Sequence, residues 1–244
     1  MPSTPPRRCV YLHRPRLVLF RRIDARVERM LRPAGLLSEC LALASRPISK
    51  SADGRALRAG SHPSTTSIGY RQGLEALARW AREDARWISA DDNNNDDECE
   101  DENDDDNPNP AVTGDEVRAL AASVASATRT LVRRQTTWFR GNGAFTWVDL
   151  GSGEGSSEEL RVAEDRAAAA VMAIWDATPD DAAAVAAARS SGAPAAERLT
   201  KEEEQQLKRY VTKWTILAPG SEGELAARRE AARCARAWRR RGLG

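Results

Sequence analysis

The stretch from Asp91 to Asp106 constrains the fold more than any other part of the sequence. It holds eleven of the 36 acidic residues, a run of asparagines, and no lysine or arginine. Such a segment has almost no apolar surface to bury, so it cannot join a packed core. We therefore interpret residues Asp91 to Pro110 as a disordered acidic insertion. The core must then be built from the segments on either side of it.

Removing this stretch changes the charge balance of the chain. The whole sequence carries a net charge of +1, but without the eleven acids its 37 basic residues face only 25 acidic ones, an excess of +12. All but four of the basic residues are arginines, and a planar guanidinium suits phosphate better than an ammonium group does. The excess indicates a polyanionic partner, although a GC-rich coding bias would also enrich arginine and alanine.

The spacing of the cysteines and the length of the hydrophobic runs indicate whether the protein could hold zinc, form disulfides or span a membrane. Cys9, Cys40, Cys99 and Cys234 stand far apart and form no CxxC pair, and only two histidines could join them. This spacing supports neither a zinc site nor a disulfide framework. No apolar run approaches the length of a membrane span, and no signal-peptide core is present. We expect an intracellular protein with reduced thiols and no membrane partner, and the sequence favours none of plastid, mitochondrion and cytosol.

Hydrophobic periodicity predicts a mainly α-helical chain with two short strands. The strands are expected at Cys9 to Leu12 and at Phe145 to Val148. The first strand precedes a helix with the apolar stripe Leu19, Ile23, Val27 and Met30 on one side and Arg22, Arg26 and Arg29 on the other. Further helices are expected at Leu36 to Leu43, Ser67 to Trp87, Thr113 to about Phe139, Glu158 to Arg189 and Thr200 to Trp214, and in the last segment, Glu222 to Arg241.

The long helix that follows the N-cap Thr113 carries the most informative pattern. Its apolar row continues into Leu131 and Trp138, which we therefore expect to face a core. Arg129, Arg133 and Arg140 share another face, which we name the arginine row. Such a row can bind successive phosphates, or it can be an ordinary solvated basic face.

Four blocks of the sequence resemble the tRNA dimethylallyltransferase family, in the family's own order. RRQTTWFR, from Arg133 to Arg140, is similar to its (K/R)RQxTWFR signature. SIGYRQ, from Ser67 to Gln72, resembles (A/S)IGYRQ, and FTWVD, from Phe145 to Asp149, resembles the family's closing FxWLD strand. LHRPR followed by RIDARVERML and GLL is similar to the family's strand, its RIxxRVxxML helix and the GL(L/V)xE piece. The resemblance covers Tyr11 to about Asp149 without the acidic insertion.

The resemblance implies two groups of residues that contact a tRNA anticodon stem-loop. They are Ser67, Ile68, Gly69, Tyr70, Arg71 and Gln72, and, with Arg129 added from the periodicity, Arg133, Arg134, Gln135, Thr136, Thr137, Trp138, Phe139 and Arg140. It also implies that Arg26 approaches the diphosphate of the prenyl donor. Arg22, one turn earlier, could serve instead, and an ion pair at the surface is the other role open to Arg26.

The implied reaction transfers a dimethylallyl group from dimethylallyl diphosphate to N6 of the adenosine adjacent to the anticodon, with Mg²⁺ expected for the intact enzyme. The family's GxTxxGK(S/T) loop and general-base Asp are not found in these 244 residues, so the catalytic residues are unknown. GSGEGSS, from Gly151 to Ser157, lacks lysine and follows the core, and we interpret it as a linker. The chain is then a tRNA-binding half that binds no metal and is inactive alone. The alternatives are a non-catalytic RNA-binding remnant and a truncated gene product.

The fold class that follows is the carboxy-terminal part of an α/β P-loop-like transferase, with a helical tail. Residues 9–150 form the transferase part, interrupted by the insertion at 91–110. An alanine-rich helical linker follows at 151–200, and a charged, arginine-rich helical tail at 200–244. In that tail Trp238 could stack on RNA, although a solvated amphipathic helix is the commoner explanation.

Overall fold

The computed structural model describes residues 9–45, 63–91, 112–142, 144–151, 157–176 and 199–243. Its elements, in chain order, are β1 (Cys9–His13), α1 (Arg16–Met30), α2 (Leu36–Ala44), α3 (Pro63–Thr66), α4 (Tyr70–Asp91), α5 (Gly114–Arg140), β2 (Phe145–Asp149), α6 (Ser157–Asp176), α7 (Lys201–Lys208) and α8 (Glu222–Arg240). The loop before Pro63, the acidic insertion after Asp91 and the end of the alanine-rich helix lie outside the described residues. Of the helices described, none is long and apolar enough to cross a membrane.

The prediction of a mainly helical chain with two short strands is confirmed. Three helix boundaries were predicted wrongly, and one of them is the end of α4, which lies at Asp91 rather than at Trp87. α4 begins at Tyr70 rather than Ser67, because Gly69 takes a positive φ of 97° that no helix contains. α7 ends at Lys208 rather than at Trp214.

The described residues belong to two compact units. Unit 1 comprises Met1–Arg22 and Arg129–Val211, and unit 2 comprises Ile23–Thr128 and Thr212–Gly244. Helices α1 and α5 therefore each contribute one part to each unit.

In unit 1, β1 and β2 pair in parallel, in a register that runs from Cys9 opposite Phe145 to His13 opposite Asp149. A parallel pair requires a long crossover connection, and here the connection between the strands contains α1 to α5. Val148 is buried, and so is Ala167 of α6, which packs against β2.

In unit 2, α2, α4 and α8 pack against one another. Leu37, Cys40, Leu77, Ala231 and Cys234 are all at most 2% exposed and form the centre of this core. Burial raises the pKa of the Cys40 thiol to about 12 and that of Cys234 to about 11, so both thiols stay protonated at neutral pH.

The start of α5 is fixed by a reciprocal cap, as its sequence predicted. The Thr113 hydroxyl accepts the Glu116 N–H at 3.3 Å, and the Glu116 carboxylate accepts the Thr113 N–H at 2.8 Å. Val117, Leu120 and Val124 then face the core of unit 2, as expected from their spacing.

One carboxylate attaches the segment after Val211 to α1. Oε1 of Glu28, a residue only 4% exposed, accepts the backbone N–H groups of Thr215, Ile216 and Leu217 at 2.6, 2.7 and 3.1 Å. Three consecutive N–H groups that converge on one oxygen form an anion-binding nest. Leu217, at 1% exposure, is buried beside it.

Two further buried carboxylates, both on α8, hold that helix in unit 2. Glu224 pairs with Arg118 of α5 and accepts the Gly220 N–H, while Glu230 accepts hydrogen bonds from Ser38 and the Ala34 N–H. Burial alone would raise the pKa of each acid. The hydrogen bonds and the neighbouring arginines outweigh burial and lower both pKa values below 4.5.

Replacing Glu28 should destabilise unit 2. Glu28→Ala leaves three backbone N–H groups without their acceptor, at a cost of about 3 kcal/mol in the free energy of unfolding. Glu28→Gln keeps a neutral oxygen and should cost less. Urea unfolding followed by circular dichroism measures both, with the exposed Glu75→Ala as the control. Equal stability of the alanine variant and the control would contradict this role of Glu28.

Unit 2 should lose stability on acidification. Glu224 and Glu230 have folded-state pKa values below the unfolded value of 4.5, so the stabilisation they give is present above pH 4.5 and is lost as pH falls through the folded values. Urea midpoints measured from about pH 6 down to about pH 3 should fall more steeply for the wild type than for Glu224→Gln/Glu230→Gln. Parallel curves would show that these acids do not carry the effect.

Candidate nucleic-acid interface

The end of α5 is anchored on β1 by a hydroxyl pair and by aromatic packing. Thr136, only 2% exposed, has its Oγ1 3.2 Å from the Tyr11 hydroxyl. The Tyr11 ring lies 4.4 Å from that of Phe139 and 4.5 Å from that of Trp147 on β2. Phe139 also packs against Phe145, with ring centres 4.6 Å apart. Thr136 and Phe139 are therefore the inward residues of the RRQTTWFR block.

Leu131 and Trp138 are not core residues, and the expectation that they face inward was wrong. Leu131 is 42% exposed and Trp138 is 59% exposed. The Trp138 ring meets Phe139 and Phe145 only edge-on, at 4.7 and 5.7 Å between centres. Its position one residue before Phe139 turns it away from the strands, which leaves a large aromatic surface open to solvent.

The outward side of the same helical segment is polar and basic. Its exposed residues are Arg133, Arg134, Gln135, Thr137 and Arg140. Arg133 donates a hydrogen bond to the Thr130 hydroxyl at 3.1 Å, which orients its guanidinium along the helix. Exposed arginines, an amide, a hydroxyl and the Trp138 ring thus occur together within two turns.

Arg129 differs from the other two members of the arginine row. Its guanidinium lies 5.3 Å from the centre of the Phe20 ring and 4.9 Å from that of Tyr210. Guanidinium groups at such distances are attracted to the faces of aromatic rings. Arg129 therefore connects α5 to α1 and to the segment after α7, and its predicted contact with tRNA stays a prediction.

Positive charge is concentrated at the carboxyl ends of the two strands. Arg14 is 5% exposed, and one of its nitrogens lies 3.5 Å from a carboxylate oxygen of Glu164. Burial lowers the pKa of Arg14, and the charge of Arg22 lowers it further. Burial likewise lowers the pKa of His13, against the opposing effect of Asp149 and with further lowering by Arg16 and Arg140. Sequence analysis did not single out Arg14, whose buried position no periodicity marks.

The Ser67 to Gln72 block forms a turn that leads into α4 in unit 2. The buried Gln72 side chain accepts the Gly69 N–H at 2.9 Å and so holds the turn. Tyr70 donates its hydroxyl to Glu39 at 3.0 Å, which raises the pKa of Tyr70. Ser67 and Arg71 are exposed, whereas Ile68 and Tyr70 are half-buried and Gly69 is buried. This block belongs to unit 2, and the RRQTTWFR block belongs to unit 1.

The two arginines predicted to bind diphosphate, Arg22 and Arg26, are both exposed on α1. Arg22 belongs to unit 1 and Arg26 to unit 2. Among the residues that the structure describes, no three His, Cys, Asp or Glu side chains come together to hold a metal ion.

Comparison with known proteins shows which family the first part of the chain matches. The family model described as IPP transferase matches residues 3–142. The chain is similar to "tRNA dimethylallyltransferase 9" of Arabidopsis thaliana, with 30% identity over 142 residues, 58% of this chain and 23% of that protein. It is also similar to "tRNA dimethylallyltransferase" of Protochlamydia amoebophila (strain UWE25), with 28% identity over 143 residues, 59% of this chain and 29% of that protein.

The chain spans about a quarter of the length of these curated relatives. No solved structure matches it. The resemblance inferred from four sequence blocks is confirmed, because the family model covers more than half of the 244 residues. The chain belongs to the IPP transferase family.

Proposed function

We propose that the chain forms the tRNA-binding part of a tRNA dimethylallyltransferase. The reaction would transfer a dimethylallyl group from dimethylallyl diphosphate to N6 of the adenosine adjacent to the anticodon. One observation carries the proposal, which is the division of the RRQTTWFR block into two faces. Thr136 and Phe139 anchor it to the strands, while its arginines and Trp138 remain exposed.

The exposed face has the chemistry that a folded RNA requires. Arg133, Arg134 and Arg140 can each pair with a phosphate oxygen and fix the register of a strand. Gln135 and Thr137 offer donors and acceptors to a base edge or a 2′-hydroxyl. The exposed ring of Trp138 can stack on an unpaired base, which is how proteins commonly read single-stranded loops. An anticodon loop presents such bases.

The turn of unit 2 supplies a second, smaller group. Ser67 and Arg71 are its exposed members, and Gln72 and Gly69 keep its shape. We infer that Ser67 and Arg71 contact the anticodon stem-loop, whereas Gly69 and Gln72 position them. This division explains why a polar Gln72 is buried in a block proposed to bind RNA.

For the prenyl diphosphate, Arg22 is supported more strongly than Arg26. Arg22 acts electrostatically on the buried Arg14, next to the carboxyl ends of the strands. Ligands of parallel α/β sheets bind at that edge, and a leaving diphosphate needs cationic groups there. Arg26 belongs to unit 2. Mg²⁺ would neutralise the diphosphate in the intact enzyme.

Charge removal from the RRQTTWFR block should weaken tRNA binding and reduce its salt dependence. For Arg133→Gln/Arg140→Gln, the slope of log affinity against log salt should fall by about 1.5, because each lost phosphate contact removes about 0.7 to 0.9. Trp138→Ala should weaken binding by about 1 to 3 kcal/mol with no change in slope, because stacking releases no counterions. Fluorescence anisotropy with a labelled tRNA measures both.

The matched control is Arg161→Gln/Arg166→Gln, which removes two exposed charges from α6 in the same unit. Its slope should equal that of the wild type. Arg129→Ala tests the remaining member of the arginine row, and an unchanged slope would identify it as a supporting residue. Slopes that fall equally in the Arg133/Arg140 variant and the α6 control would contradict a specific interface.

The purified chain should transfer no prenyl group by itself. Departure of diphosphate needs cationic groups and backbone amides, and the adenine amino group needs a base. The 244 residues contain no GxTxxGK(S/T) loop to supply the backbone amides and the lysine that would hold the diphosphate. Incorporation of label from radioactive dimethylallyl diphosphate into tRNA measures the activity, with an intact relative as the positive control. Incorporation above the level without protein would overturn the assignment of this chain to tRNA binding alone.

A further inference from the structure

We propose that α8 carries a second RNA-binding surface, formed by Arg229, Arg233, Arg236 and Arg240, that extends the Ser67 to Gln72 turn within unit 2. The proposal rests on the proposed function for the identity of the partner. It goes beyond that function, because α8 lies outside the residues 3–142 that the family model matches. We name these four residues the α8 stripe.

The stripe is defined by the helix geometry. Its members follow one another at spacings of four, three and four residues, so they lie on one face of α8. Ala227, Ala231, Cys234 and Trp238 lie on the opposite face and are at most 3% exposed. The stripe therefore points away from the core. It spans twelve residues, with about 16 Å between its two ends, which is enough for two or three phosphates of one RNA strand.

Two of the three acids of α8 lie in the core of unit 2, and the third, Glu222, is exposed. Glu224 and Glu230 are turned into unit 2, where Glu224 pairs with Arg118. Arg233 is engaged by one of them, since its guanidinium donates to Glu230 at 2.9 and 3.0 Å. Arg229 and Arg240 are exposed at either end of the stripe.

The stripe and the turn meet at the same short part of α2. Tyr70 of the turn donates its hydroxyl to Glu39 at 3.0 Å. Arg233 of the stripe donates to the hydroxyl of the adjacent Ser38, also at 3.0 Å. Two neighbouring residues of α2 thus join the two groups, and a strand of RNA bound at the turn could continue along α8.

The chemistry of α8 favours RNA over a lipid surface or a protein. A helix that binds a membrane places its apolar face in the lipid, but here Ala231 and Trp238 are already in the core. Of the large apolar residues of α8, a helix described in full, only Leu225 is exposed. The exposed guanidinium groups of Arg229 and Arg240 suit the phosphates of an RNA strand. The ring of Trp238 takes no part, so base stacking by this residue, considered above, is excluded.

The test compares two double variants of the full chain. Arg229→Gln/Arg240→Gln should reduce the slope of log affinity for tRNA against log salt by about 1.5, for two lost phosphate contacts. Arg229→Lys/Arg240→Lys keeps the charge and should restore most of it. The control, Arg82→Gln/Lys213→Gln, removes two exposed charges elsewhere in unit 2 and should leave the slope unchanged. Circular dichroism verifies that each variant is folded.

The outcomes separate this inference from the proposed function. Binding that depends on Arg133 and Arg140 but not on Arg229 and Arg240 overturns the α8 surface alone. A glutamine variant that binds tRNA normally but loses affinity for phosphatidylserine vesicles would assign the stripe to membranes instead, and would also overturn it. A wild-type chain that binds no tRNA removes both proposals.

Discussion

The carboxylate of Glu28 is the interaction on which the arrangement of unit 2 depends. By accepting three consecutive backbone N–H groups, it fixes the segment from Thr215 to Leu217 on α1, and the segment in turn leads into α8. Glu224 and Glu230 on α8 are held in a similar way, because each carboxylate is buried and accepts hydrogen bonds from several donors. In a chain rich in arginine, a few buried acids thus attach the last helix, while arginines such as Arg133 and Arg140 stay exposed. A buried charge is tolerable only with this degree of compensation.

The two candidate RNA-binding blocks hold their exposed polar side chains in place in different ways. In RRQTTWFR the anchoring residues, Thr136 and Phe139, alternate with exposed ones, so the helix holds its functional groups rigidly against the strands. In SIGYRQ a glycine with positive φ and a buried glutamine fix the backbone, and the neighbouring side chains project from it. Both place long polar side chains on supports that lose little entropy on binding.

Sequence periodicity predicted the positions of the helices and strands better than it predicted which side chains are exposed. The strands, α1, α2 and the start of α5 followed from apolar spacing and from the Thr113 cap, which are local signals. The orientation of Trp138 did not, because a large apolar residue at helical spacing suggests a core. The hydrogen bond between the hydroxyls of Tyr11 and Thr136, two residues before Trp138, was needed to show which face of the helix meets the strands. The role of Tyr11, the stacking of Arg129 between Phe20 and Tyr210, and the place of Glu28 all depend on partners about eighty or more residues distant in the sequence. The spacing of residues within one segment cannot reveal contacts between residues so far apart in the sequence. Membership of the family, by contrast, was readable from four short blocks, because their order is itself long-range information.

The parallel pairing of β1 with β2 has a consequence for how the chain behaves in solution. In the described residues the sheet contains these two strands alone, so each strand has one side of its backbone without a neighbouring strand, and Leu12 on β1 is 53% exposed. Open strand edges are templates for pairing with other chains. Concentrated samples are therefore the condition in which self-association through these edges competes with the monomer, and a strand supplied by another polypeptide would be the natural way to suppress it.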